Sequence, residues 1–313
     1  MALTAALVIG SGLPLPARSP ATSAEPWAGI PGVPSIDAAT AEHIQALVEA
    51  GATQGERPAV FIKVGDSITS SCNSLCGFSG GHGEFGDYAD LQPAALRWCN
   101  QVIDGASATS CNRASFAAVP GAGAGYLLTP CTAAGCFPGE SFLGAELREI
   151  RPQVALVEVG TNDWAFCGGE LGCFATGLIA LVERIEQAGV VPVLSTIPQR
   201  PGLPHASMPV ADVNAAIREI GENLRLPVMD FHLALERFTA GEGLGADGIH
   251  PSTCPDGAAD LSPRCLAYGF NVRNLLALAS LARVSAVIDG TVPADPPAHF
   301  EAGVPGVVSP QGP

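Results

Sequence analysis

Four short stretches carry residue types that suit acyl-transfer chemistry. Residues 65–69 read GDSIT and place Ser67 directly after the apolar run AVFIKV. Residues 120–123 read PGAG, residues 160–163 read GTND, and residues 247–251 read DGIHP. Serine is a poor nucleophile at neutral pH unless a base takes its proton. Histidine can take it and return it to a leaving alcohol. A carboxylate three residues earlier, Asp247 before His250, would accept from the other imidazole nitrogen and fix the tautomer. Asn162 brings a neutral amide, and Gly121 and Gly123 leave the second stretch without side chains at two positions. Each stretch alone has a plainer reading: Ser67 as a helix N-cap, Asn162-Asp163 as an Asx-turn, His250 as a structural residue. Nucleophile, base and orienter falling on the loops of one sheet edge is the stronger reading of all four together.

Other polar residues carry less. Glu158, inside VALVEV, is a carboxylate near the end of an apolar strand; it either pairs with a base close to the site or turns to solvent. Asp66 and Asp163 read as loop braces. His82, His205 and His232 have no partner spacing. The GAGAG run at 121–125 has the spacing G-x-G-x-G rather than that of a dinucleotide loop, and no acidic residue follows to hold a ribose.

Hydrophobic periodicity places these stretches on elements. Helices are expected over 36–50 (ending at Gly51), 91–103, 138–150, 174–188, 210–224 and 263–288. Strands are expected over 59–64, 113–119, 153–159, 190–197 and 227–231. Strands alternating with helices predict a mainly parallel, five-stranded sheet covered on both faces. Ligands bind such sheets at the carboxyl ends of the strands, where the four stretches fall. The Gly-rich loop 72–95 carries Phe78, Phe85 and Tyr88, and the segment after Asn162 carries Trp164 and Phe166. These aromatics are candidates to line an acyl or sugar pocket.

Composition bounds the rest. The chain has 313 residues, of which 47% are hydrophobic, and a formal charge of −15. Charged residues are 14%, against about 25% in an average soluble protein. A nucleic-acid partner or an anionic membrane surface would need basic patches, and none is present. No segment has the roughly 20 consecutive apolar residues of a membrane span. The ten cysteines point to an oxidising compartment, secreted or periplasmic. They fall in close pairs, which predicts five local disulfides: 72–76, 99–111, 131–136, 167–173 and 254–265. Zinc is a poor alternative, because no C-x₂-C pair occurs. Residues 1–34 read as leader and linker, with an apolar LTAALVIGSGL, a small-residue Thr22-Ser23-Ala24 and no basic residue in front. Residues 35–289 read as one catalytic domain and 290–313 as a Pro-rich tail.

GDSIT, the glycine after the second strand, GTND and DGIHP, in that order, resemble the four signature blocks of the SGNH (GDSL) hydrolase family, over about residues 58–285. The second block departs from the family pattern: AAVPGAGAG lacks the asparagine that often opens it. The resemblance implies a flavodoxin-like three-layer α/β/α sandwich and ester hydrolysis through a serine acyl-enzyme. It implies Ser67 as nucleophile, His250 as base, Asp247 as its orienter, and an oxyanion hole from the Ser67 and Gly121 N–H groups and the Asn162 side chain. It implies no cofactor and no metal. The expected substrate is a small-molecule or glycan ester. A carbohydrate O-acetyl esterase, an acyltransferase with the same triad and a noncatalytic binding module on the same scaffold are the competing functions.

Overall fold

The computed structural model describes residues 29–103, 108–239 and 243–291. Most of the expected leader and tail therefore lies outside the described residues. The elements in chain order are α1 (Ala38–Gln54), β1 (Arg57–Gly65), α2 (Ser67–Ser70), α3 (Gln92–Cys99), α4 (Phe142–Ile150), β2 (Pro152–Glu158), α5 (Asp163–Phe166), α6 (Leu171–Gln187), β3 (Val191–Ser195), α7 (Val210–Asn223), β4 (Val228–Met229), α8 (Phe231–Phe238) and α9 (Gly269–Ile288).

The four strands pair in the order β1-β2-β3-β4, all parallel. Alternation along each strand sorts side chains to two faces. Phe61, Val154, Leu156, Val191 and Val193 join one core with residues of α1, α3, α8 and α9. Val60, Ile62, Val64, Ala155, Val157 and Leu194 join a second core with α4, α6 and α7. The result is a flavodoxin-like three-layer α/β/α sandwich. Among the described residues α9 is the one helix long and apolar enough to cross a membrane, and it is almost wholly buried in the first core.

The sheet has four strands where five were expected. Residues 113–119 form no strand; Ala118 makes a single parallel bridge to Gly65. Side chains occupy the rest of that edge of β1. Phe61 N donates to Ser110 Oγ at 3.0 Å, and Ser115 Oγ donates to Lys63 O at 2.7 Å. With those backbone groups satisfied, no further ladder is required. The bridge still puts this segment beside β1, on the side away from β2, as the strand order of the fold requires.

Boundaries also moved: the helices expected over 91–103, 138–150 and 263–288 contract to Gln92–Cys99, Phe142–Ile150 and Gly269–Ile288, that over 174–188 shifts to Leu171–Gln187, and the strand over 190–197 shortens to Val191–Ser195. The first helix runs through Gly51 to Gln54 and ends at Gly55, whose φ is 84°. Gly51 is a contact, since a Cβ there would run into the Gly189 carbonyl. The last strand is only Val228–Met229, because Asp230 already caps the unforeseen helix α8, accepting from Leu233 N at 3.1 Å.

Four of the expected disulfides are present: Cys99–Cys111, Cys131–Cys136, Cys167–Cys173 and Cys254–Cys265. The fifth is not. Cys72 and Cys76 are free thiols, the first exposed and the second half-buried, and Leu75 between them has a φ of 71°. Burial pushes the Cys76 thiol up to about 11.

Candidate active site

Each loop at the carboxyl edge of the sheet delivers one of the expected groups. β1 ends at Gly65, packed so closely on Thr69 and the Glu158 carbonyl that a Cβ has no room. Asp66 then caps α2, its Oδ1 accepting from Ile68 N at 2.9 Å. Ser67 is thereby the first residue of a short helix, with its side chain turned outward from a fixed backbone.

The Ser67 Oγ lies 2.8 Å from His250 Nε2, and His250 Nδ1 lies 2.6 Å from Asp247 Oδ2. Asp247 Oδ1 accepts from the backbone N–H groups of Ile249 and His250, each at 3.0 Å. The imidazole beside Asp247, with those two N–H donors, holds its carboxyl down to about 2. The loop itself is closed by Gly245 N donating to His250 O and Ser252 N to Gly243 O, both at 2.8 Å. The disulfide from Cys254 ties its far end to Cys265.

Asn162 sits between two other loops. Its Nδ2 donates to Asp66 Oδ2 at 3.1 Å and to Ala122 O at 3.3 Å. The structure therefore brings Asn162 against both the Ser67 turn and the Gly121 loop. Gly121 has a φ of 79° with open space around the missing Cβ, whereas at Gly123 a Cβ would meet Asp163 Oδ1 at 2.7 Å. Gly123 is packed inward and Gly121 faces out.

Asp66 and Asp163 brace this arrangement from within. Burial, reinforced by the neighbouring Glu158 carboxyl, pushes Asp66 up to about 7. Burial raises Asp163 to about 6, against a hydrogen bond from Ala124 N at 2.8 Å. Glu158 is turned inward and is 2% exposed. Its Oε2 receives Arg273 Nε at 2.6 Å, and the same guanidinium donates to Ser74 Oγ and Thr69 Oγ1, underpinning α2.

The aromatic residues divide. Phe78 and Phe85 pack on each other inside the first core, and Tyr88 packs against it. Trp164 is partly buried against the second core. Phe166 alone of the five stays open, 54% exposed, its ring 5.8 Å from Tyr126 and close enough to Gly123 that a Cβ there would reach Phe166 Cδ2 at 3.0 Å. His232 and His43 pair with glutamates away from the site, and among the described residues no hydrogen bond or ion pair joins His82 or His205 to it.

Two residues near the site were missed from sequence, Arg273 and Arg200. Arg200, 5% exposed, donates to the carbonyls of Gly160, Thr161 and Met208. The available signal was a lone arginine between Pro198 and Pro201 in a chain with 15 basic residues.

No curated protein sequence matches the chain. Among solved structures, a GDSL-like lipase from Bacteroides thetaiotaomicron is similar at 13% identity and a TM-score of 0.44, covering 78% of this chain and 98% of its own. A psychrotrophic esterase from Pseudoalteromonas sp., inhibited by monoethylphosphonate, is similar at 17% and 0.43, covering 72% and 97%. A carbohydrate esterase family 3 protein from Talaromyces cellulolyticus is similar at 15% and 0.46, covering 74% and 98%. Residues 64–253, which hold all four loops, match the GDSL-like Lipase/Acylhydrolase family. The chain belongs to that family and is a hydrolase of ester bonds.

Proposed function

We propose that the protein hydrolyses a small acyl or acetyl carboxylic ester through a serine acyl-enzyme, with Ser67, His250 and Asp247 as the triad. The observation that carries this is the continuous chain of contacts from Ser67 Oγ through both imidazole nitrogens to Asp247 Oδ2, at 2.8 and 2.6 Å. Ser67 Oγ attacks the ester carbonyl as His250 Nε2 takes its proton. The tetrahedral oxyanion is held by the N–H groups of Ser67 and Gly121 and by Asn162 Nδ2, which exchanges its longer contact, to Ala122 O, for the substrate oxygen. His250 then gives its proton to the leaving alcohol. Water, deprotonated by the same imidazole, releases the acid and regenerates Ser67. Asp247, acidified to about 2, stays ionised throughout and stabilises the imidazolium.

A carbohydrate ester is the second reading. The exposed Phe166 ring beside the Gly121 loop favours it, because a flat aromatic face suits the ring of a sugar alcohol. The four disulfides support an extracytoplasmic location for a catalytic domain spanning residues 35–289. The deciding experiment is Ser67→Ala assayed on p-nitrophenyl acetate and acetylated oligosaccharides. We expect loss of all but a few per cent of activity at an unchanged melting temperature, and loss of labelling by an organophosphonate. A folded variant that keeps its activity would overturn the triad; burst release without turnover in the wild type would mark a trapped enzyme, and neither burst nor turnover would favour a binding module.

A further inference from the structure

The loop after β3 carries none of the reacting groups, yet it touches both halves of the site. Arg200 reaches one way. Its guanidinium is buried and spans the carbonyls of Gly160 and Thr161, the two residues directly before Asn162, and the Met208 carbonyl at the start of α7. It also lies close enough to Asp163 to favour that carboxylate's charge, and Asp163 in turn holds Ala124 N of the Gly121 loop. Gly202, two residues on, reaches the other way. Its N–H donates to Gly248 O at 2.9 Å, inside the turn between Asp247 and His250. A Cβ on Gly202 would overlap the Asp247 carbonyl oxygen and meet Ile249 Cγ1 at 2.9 Å. Gly202 does not lie in the left-handed region, so close approach alone demands glycine there. The segment is itself anchored, since Asn214 of α7 holds Ile197 by both backbone groups, at 2.8 and 2.9 Å.

We propose that Arg200–Gly202 is a tie that sets the register between the oxyanion loops and the Asp247–His250 turn, with Arg200 the positioning residue for Asn162 and Gly202 the positioning residue for His250. The inference rests on the triad reading above. The physical basis is that the two loops are far apart in sequence and must agree to within a fraction of an ångström, because displacements of about 1 Å cost on the order of 10²-fold in rate. A planar guanidinium can bridge three carbonyls at fixed geometry, and an ammonium at the same place cannot.

The test is a kinetic cycle on the full chain with p-nitrophenyl acetate. Arg200→Lys should lower kcat by about tenfold or more, with KM within about twofold. In an Asn162→Ala background the same change should cost less than twofold, because the group that Arg200 positions is gone. Equal losses in both backgrounds, or an unchanged kcat, would overturn the role of Arg200. Gly202→Ala lies in an exposed loop and tests the other half even if Arg200→Lys fails to fold. It should lower kcat by roughly 10–10²-fold with little change in melting temperature, while Gly172→Ala, at a position with open space around the Cβ, keeps full activity. Wild-type kcat in Gly202→Ala would overturn that half. If Ser67→Ala stayed active the triad would fall; with Ser67→Ala inactive, these outcomes bear on the tie alone.

Discussion

Asn162 is the residue on which the neighbouring loops meet, since one amide nitrogen contacts both the Asp66 carboxyl and the Ala122 carbonyl. Its side chain is therefore held in place before substrate arrives, which in the proposed mechanism is the condition under which an oxyanion donor is worth most. Asn162→Ala should lower kcat by roughly 10²–10³, with a smaller change in KM, measured on a soluble acetyl ester. A change confined to KM would make it a binding residue. Arg273 works one layer below. It is 3% exposed, pairs with Glu158, and holds Thr69 and Ser74 under the nucleophile helix. Arg273→Leu strands a buried carboxylate and should cost about 3–5 kcal/mol in denaturant unfolding. Replacing Glu158 by leucine as well should recover much of that loss, and two additive losses would contradict the pairing.

Short disulfides act on elements rather than on the chain as a whole. Cys167–Cys173 closes the link between α5, which begins at Asp163, and α6. Cys131–Cys136 braces the segment after the Gly121 loop, and Cys254–Cys265 the segment after His250. Loops of this size constrain the unfolded chain by less than about 3 kcal/mol each. We expect their larger effect to be on the positions of the loops that bear Asn162 and His250. Across a reductant titration, activity on p-nitrophenyl acetate should therefore fall before the melting transition does. Full activity after complete reduction would show that the loops hold their register without them. The untreated protein should contain two titratable thiols, Cys72 and Cys76.

Buried carboxyl groups give the whole molecule a pH signature. Asp66 and Glu56 are pushed up to about 7 and Asp163 to about 6, chiefly by burial. An unfolded carboxyl titrates near 4. Between about pH 8 and pH 5 the folded protein thus binds protons that the unfolded chain does not, so stability rises as pH falls. Asp247 acts in the opposite sense: lowered to about 2, its contribution is present above the unfolded value and is lost as pH falls towards 2. The melting temperature should rise by a few degrees from pH 8 to about 5, at about 2–4 °C per kcal/mol, and fall again below pH 4. Asp66→Asn should flatten the rise, and a flat or falling profile in the wild type would contradict the buried titration.

Four of the five expected strands and six helices in their order, the loops that bear Ser67, Asn162, Asp247 and His250, and four of the disulfide pairs were legible in the chain itself. The reason is locality: periodicity, turn residues and cysteine pairs act over a few residues, and the strand ends of a parallel sheet share one edge. Contacts between distant segments were decided only on folding. Ser110 and Ser115 took over the edge of β1, so a segment that reads as a strand is not one. Phe78 and Phe85 went into the core while Phe166, at the end of α5, stayed open, although the sequence reads all three as loop aromatics. Gly121 and Gly123 are equivalent in sequence and became different once Asp163 packed against one of them. Glu158 met Arg273 across 115 residues, and Arg200 met Gly160 across 40. No local pattern encodes such pairs, because what selects them is the burial of a charge or a carbonyl that has to find a partner in the folded interior.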